Sequence, residues 1–221
     1  MDTNYKHRRF TKTAACCLGL LTLTAWNLTS CRKITGCTTN QTADLYRVQI
    51  PVTLYPAKDT FKIGDTLWIE QHFADHLREE VNGLILDFTD FDFKAKAVTA
   101  DLINYNDLSM KHNQFATVGS IKSTGIAGGV YITYLHENGY YKHKMGIAMT
   151  QKGLFRISMR TMRYNDFDFT KCRVEELDLR YSINNKGDNN FHMMQDAKDP
   201  FALKANREDF DKFGSYCFYV K

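Results

Sequence analysis

The chain has 221 residues, 24% of them charged and 43% hydrophobic, with a formal net charge of +4. Residues 1–30 hold four basic side chains and one acidic one, so residues 31–221 carry about +1. That balance argues against a nucleic-acid partner, whose phosphates require a clustered basic face. The length beyond residue 30 is enough for one substantial domain or two small ones.

The chain opens with Lys6, Arg8, Arg9 and Lys12, followed by Ala14 to Trp26, uncharged and mostly apolar. This run has the length of a signal-peptide core and is too short to span a bilayer. Its basic start orients that end toward the cytoplasm. It ends Leu28-Thr29-Ser30-Cys31, which resembles a bacterial lipobox. The resemblance implies diacylglyceryl attachment to the Cys31 thiol, cleavage before Cys31, and acylation of the new amine. The partner it implies is a membrane, held through acyl chains that contribute about 0.8 kcal/mol per buried methylene. Ile34-Thr35-Gly36-Cys37 fits the same pattern and makes Cys37 the alternative. Arg32 and Lys33 would then stand between the apolar core and the cut, where charge is disfavoured. The expected organisation is a signal-peptide helix over 1–30, a flexible tether over 31–44 and one domain over 45–221.

Six cysteines are present. Cys16, Cys17 and Cys31 belong to the leader, which leaves Cys37, Cys172 and Cys217 in an oxidising compartment. Three thiols allow one bridge. Cys172–Cys217 is the preferred pair, because Cys37 sits in the tether. Strand parity puts both off the core face, at the periphery. No CxxC occurs, and no metal site is expected from these residues.

From Tyr46 onward the hydrophobic period is two. Tyr46, Val48, Ile50, Val52 and Leu54 alternate with polar residues, as in a strand with one buried face. Pro51 cannot donate to a ladder, so the strand reads as an edge. Further strands are expected over 66–70, 84–88, 91–98 and 115–121. Gln71 to Glu80 reads as a loop or a helical turn. Val130 to Thr150 is a hairpin on Asn138-Gly139, the preferred type I′ pair, with Leu135 opposite Lys142 and Tyr134 opposite His143. Strands follow over 154–160, 176–183 and 213–220, with a short helix over 190–197 and a helical turn over 207–210. Short strands and tight turns with little helix predict an immunoglobulin-like antiparallel β-sandwich.

Tyr134, His136, Tyr141 and His143 share one hairpin face and form the candidate ligand rim, or else the rim of the core. His72 and His76 have zinc-like spacing, but the pattern HFADH lacks the glutamate of HExxH. Asp87, Asp90 and Asp92, and separately Asp166 and Asp168, offer oxygen ligands for calcium, yet alternate with phenylalanine as a half-wet strand does. There is no GxSxG, P-loop or strand–GxGxxG–helix, and the run Gly125 to Gly129 lacks the lysine that phosphate cradling needs. No catalytic residue, cofactor or metal is expected.

The run Val52 to Glu70 behind a lipobox, with the ending Phe213 to Val220, resembles Bacteroidetes-type lipoproteins of unassigned function. The resemblance implies a β-rich domain on an outer-membrane anchor. Arg32 and Lys33 stand where surface-displayed members carry acidic residues, which implies the periplasm-facing side. Asp65-Thr66-Leu67 matches that group's O-glycosylation pattern, which makes Thr66 a modification candidate. The expected function is a binding or structural accessory in the cell envelope, with a protein or glycan partner. The alternatives are an envelope glycan hydrolase and a fimbrial or assembly subunit. Cys31→Ser is expected to release the protein from membranes in a fractionation assay while Cys37→Ser leaves it bound; the reverse result assigns the lipid to Cys37.

Overall fold

Leu45–Tyr55 forms the strand β1 that its alternation predicts, with Tyr46, Val48, Ile50, Val52 and Leu54 buried. The computed structural model describes residues 45–104, 112–125, 128–160, 163–167, 175–184 and 189–221. The expected signal helix and tether, Cys31, Cys37, Cys172 and Asp168 lie outside them. The strands that follow β1 are β2 (Thr60–Phe61), β3 (Thr66–Ala74), β4 (His76–Arg78), β5 (Ile85–Asp87), β6 (Lys94–Asp101) and β7 (His112–Val118). Then come β8 (Ser120–Ser123), β9 (Gly129–Thr133), β10 (Leu135–Glu137), β11 (Tyr140–Met149) and β12 (Gly153–Arg160). The last are β13 (Arg163–Phe167), β14 (Glu175–Ile183) and β15 (Ser215–Val220). A 3-10 helix over Phe191–Asp196, another over Ala202–Lys204 and one α-helix, α1 (Arg207–Lys212), precede β15. Among the described residues no helix is long and apolar enough to cross a membrane.

The protein is an all-β sandwich. A seven-stranded sheet runs β10-β11-β3-β1-β14-β13, with β7 also paired to β11. A six-stranded sheet runs β2-β15-β12-β6-β9-β8, and β4 and β5 form a small separate ribbon. The inward faces supply the main core: Val48, Ile50, Leu67, Ile69, Met145, Ile147, Leu177 and Leu179 from one sheet, and Ala95, Ile132, Phe155, Ile157, Tyr216 and Phe218 from the other. A second, smaller core lies on the far side of the six-stranded sheet. There Leu102, Leu154 and Cys217 pack under Met193, Met194, Ala202 and Phe210 of the C-terminal segment.

Several expectations are corrected. The sandwich is not purely antiparallel: β1 pairs with β14 in parallel, and β15 with β2 in parallel. Alternation reports which face is buried and is silent on which strand lies alongside. β1 is not an edge, since β14 flanks its first part and β3 its last three residues. The Leu54 N–H bonds the Asn184 side chain next to β14, whereas the Arg47 N–H bonds Glu79 on the other side. Odd-numbered residues therefore direct their N–H away from β14. The missing N–H of Pro51 falls in the stretch between Arg47 and Thr53, before pairing with β3 begins, so no ladder bond is lost.

Gln71 to Glu80 is strand rather than loop: β3 continues to Ala74 with Gln71 and Phe73 inward, and β4 follows at once. The expected 115–121 strand is two strands in different sheets, β7 on β11 and β8 on β9. Gly119, with φ +70, makes the switch, and a Cβ there would lie 2.4 Å from the Thr133 carbonyl oxygen. The 130–150 hairpin is divided at the same place. Its tip is as expected, with Leu135 opposite Lys142 and Asn138-Gly139 at positive φ, but β9 leaves for the six-stranded sheet, so Tyr134 and His143 are not ladder partners.

Leu179→Ala empties a fully buried site in β14. It is expected to cost about 3 kcal/mol of unfolding free energy, read as a lower urea midpoint with an unchanged slope.

Candidate functional site

Alternation in β3 and β11 sends Leu67, Ile69, Met145 and Ile147 into the core, so Trp68, Glu70, Lys144 and Gly146 lie on the outward face of the seven-stranded sheet. The register sets Tyr55 opposite Trp68, Trp68 opposite Gly146, and Gly146 opposite Phe115. Three aromatic rings thus form one row across four strands. Tyr55 and Trp68 lie 6.3 Å apart and nearly parallel, and Phe115 meets Trp68 edge-on at 5.5 Å. Gly146 makes this row possible, because a Cβ there would sit 2.5 Å from the Phe115 ring. Phe115 lies over the bare backbone and reaches Trp68.

Lys144 projects from the same face. Its Nζ is 5.2 Å from the Tyr55 ring centre and 5.5 Å from that of Trp68, and 3.7 Å from a Glu70 oxygen. The Tyr55 hydroxyl, then Glu70, hold this ammonium above its ordinary pKa. A cation over an exposed ring contributes about 0.5–1 kcal/mol. Farther along the sheet, His72 and Tyr140 are in ring contact at 4.9 Å, with Tyr140 44% and Leu135 45% exposed. The face therefore offers flat apolar rings with an ammonium and a carboxylate beside them. Such a surface can stack on a sugar ring or a peptide side chain and bond its hydroxyl or amide groups.

The four residues expected to form the ligand rim take the opposite side. Tyr141 and His143 are buried, and Tyr134 packs against the core. His136 stacks on Tyr141 at 4.3 Å. The Tyr141 hydroxyl lies 2.7 Å from the carbonyl oxygens of both Phe88 and Phe91. Burial pushes its pKa up to about 12. The residues 88–93 are a loop rather than a strand with a wet face. The loop inserts Phe88, Phe91 and Phe93 as a ring cluster at the end of the core. Asp87 is used by the Thr89 N–H and hydroxyl, and Asp92 by Lys94.

Asp75 is the polar centre of this end. One oxygen bonds His76 Nδ1 at 2.7 Å and the other bonds His136 Nε2 at 3.1 Å. His76 Nε2 faces Asp87 at 3.8 Å. The His76 contact, and to a lesser degree that of His136, holds Asp75 below the ordinary carboxylate value, and Asp75 in turn raises His76. Glu79 is turned elsewhere, accepting backbone N–H groups from Arg47, Val81 and Asn82. Burial alone would raise its pKa, but these bonds together lower it. His72 is on the outer face and His76 on the Asp75 cluster, so the two do not converge. Among the described residues no group of three or more His, Cys, Asp or Glu is disposed to hold a metal ion.

Thr66 opens β3 opposite Ala148, half-buried, after a turn in which Asp65 pairs with Lys58 and accepts the Lys62 N–H. Cys217 is a free thiol with no exposed surface, against Met194 at 3.5 Å. It is off the main core face as expected but sealed in the second core rather than peripheral. Burial pushes its pKa up to about 12. No family model matches the chain, and no curated protein matches it.

Burial lowers the His143 pKa to about 4, with the Thr133 carbonyl pulling weakly the other way. The folded ring is then neutral where the unfolded chain is protonated. Below the ordinary imidazole midpoint near 6.5, unfolding takes up a proton, so this contribution falls with pH by up to about 3 kcal/mol at pH 4. His76 has the opposite sign, adding stability that is present below that midpoint and lost as pH rises through its raised one. His143→Leu is expected to flatten the fall in stability between pH 6.5 and 4.5, measured by urea unfolding at both values.

Proposed function

We propose that the protein is a lipid-anchored accessory of the bacterial cell envelope whose sandwich binds a glycan or a peptide segment through the outward face of the seven-stranded sheet. The observation that carries the binding reading is the row Tyr55–Trp68–Phe115, laid across four strands over Gly146 with Lys144 and Glu70 beside it. A binding module requires an aromatic or apolar patch open to solvent on a rigid support, and this face offers Phe115 exposed with Tyr55 and Trp68 half-buried beside it. The apolar leader run, the lipobox-like Leu28 to Cys31 and the likeness to Bacteroidetes-type lipoproteins support anchorage at the outer membrane, facing the periplasm.

A hydrolase would need titratable groups converging in a concave pocket. The arrangement favouring it is a cavity of about 290 Å³ beside β14 and α1, lined in part by Glu80, Glu208 and Asp211. Asp211 is occupied by Asn189 and Arg207. Glu80 and Glu208 would therefore carry any such chemistry, and Glu80→Gln with Glu208→Gln would abolish it.

Trp68 is the one tryptophan after residue 30, so its fluorescence reports on this face in the processed protein. Titration with envelope glycan fragments and peptides is expected to shift its emission. Tyr55→Ala and Phe115→Ala should each weaken that binding by about 1 kcal/mol, roughly fivefold. Unchanged emission across both panels, with measurable glycan turnover, would replace binding by hydrolysis.

A further inference from the structure

A second cavity lies on the other side of the sandwich, between the outward face of the six-stranded sheet and the C-terminal segment. It measures about 340 Å³, within the range of small-molecule sites. Its cationic wall is Arg156 and Arg160 from β12 and Lys204 from the 3-10 helix Ala202–Lys204. Arg156 and Arg160 are four residues apart on one strand, so both side chains leave the same face. That face is the outer one, because Phe155, Ile157 and Met159, of the opposite parity, point into the main core.

Several cations elsewhere among the described residues are paired: Lys58 with Asp65, Arg180 with Asp178, Arg207 with Asp211. Among the described residues, Arg156, Arg160 and Lys204 have no ion pair and no hydrogen-bond acceptor. Arg156 is the sharpest case. Its Nε is shut off from solvent and finds no acceptor. Burial lowers its pKa, with Cys217 and Asp199 opposing through space, yet a guanidinium remains charged in proteins. Arg156 is half-buried, so one nitrogen of a charged fork is shielded from water without an acceptor, and an unpaired polar atom in that position is costly. Asp209 is the one carboxylate among the described lining residues, which leaves a formal excess of two positive charges. The Ser158 and Ser215 hydroxyls lie at the same site. Phe201, 83% exposed, and Phe213, 41% exposed, also line it, which is a large apolar exposure next to a charged wall.

We propose that this cavity binds a phosphomonoester carried on a ring or other apolar body, with the phosphate on Arg156, Arg160 and Lys204 and the body against Phe201 and Phe213. A phosphomonoester carries close to two negative charges at neutral pH, which matches the excess. A guanidinium fork bonds two phosphate oxygens at once. The site is distinct from the aromatic face and does not depend on it. Its ligand chemistry has two natural sources in an envelope, a phosphorylated sugar and a phospholipid headgroup.

The test is calorimetric titration of the processed protein with phenyl phosphate, inorganic phosphate, phenyl glucoside and dihexanoyl phosphatidic acid. Phenyl phosphate is expected to bind, and phenyl glucoside is not. Arg160→Gln and Lys204→Gln, both on exposed side chains, should each weaken phenyl phosphate roughly tenfold without moving the urea midpoint. Phe201→Ala should weaken phenyl phosphate and leave inorganic phosphate unchanged. Arg156→Met should abolish binding while keeping or raising the urea midpoint, since it removes a half-buried cation whose Nε is shielded without an acceptor. Tighter binding of dihexanoyl phosphatidic acid than of phenyl phosphate assigns the lipid source, and the reverse assigns the sugar source. No heat with any phosphate, or binding that survives both charge removals, overturns the proposal. Equal affinity for inorganic and phenyl phosphate overturns the apolar half of the site.

Discussion

The parallel pairing of β1 with β14 is the contact on which the rest of the sandwich depends. It joins Leu45 to Val52 with Glu176 to Ile183, segments far apart in the chain, and makes them the middle of the larger sheet. Their inward side chains form a continuous apolar floor from Val48 and Leu179 to Val52 and Ile183. The register is held from both ends. Asp178, nearly buried, lies between Arg47 and Arg180, and the Asn184 side chain accepts the Leu54 N–H where the ladder stops. With β1 fixed, β3 is fixed at its far end, and with β3 comes β11.

That chain of registers is what assembles the aromatic face. Tyr55, Trp68 and Phe115 belong to three strands and meet only because β1, β3, β11 and β7 lie side by side with Gly146 at the crossing. The other side of the molecule is built on a different principle. There the outer face of the six-stranded sheet carries an apolar patch, Leu154 and Cys217, that is covered by 3-10 turns and the short helix α1. The cover is incomplete where Arg156 and Arg160 emerge, so a charged residue lies at the boundary of a hydrophobic layer. The two faces are chemically unlike: aromatic rings beside a lysine paired with Glu70 on one, unpaired cations on the other.

Two carboxylates inside the fold, Glu79 and Asp75, hold loops in place. Glu79 gathers the N–H groups of the turn behind β4 and ties that turn to β1. Asp75 holds two imidazoles from separate strands, with the Tyr141 ring stacked beneath one of them. Each carboxylate has its oxygens occupied by neighbours, which is how a buried charge becomes tolerable.

The sequence by itself determined the β class, the faces of β1, β12, β14 and β15, the Asn138-Gly139 turn and the register at its tip. These follow from side-chain period and from turn residues, both local properties. It also indicated the helical segments near 191–196 and 207–212. It did not determine partners. A period of two says that Leu177 and Val48 are inward, but nothing local says that their strands run parallel. It did not reveal the sheet switch at Gly119, because a positive φ within a run of strand-forming residues becomes meaningful only against the Thr133 carbonyl. The candidate site was half legible. The parity that put Tyr141 and His143 on one face of β11 was right, but which face meets water is decided by the opposing sheet. Packing took that face for the core and left the other outward, with Phe115 exposed and Tyr55 and Trp68 half-buried. The cationic cavity was not legible at all, since Arg156 and Lys204 become neighbours only when the C-terminal segment folds back over β12.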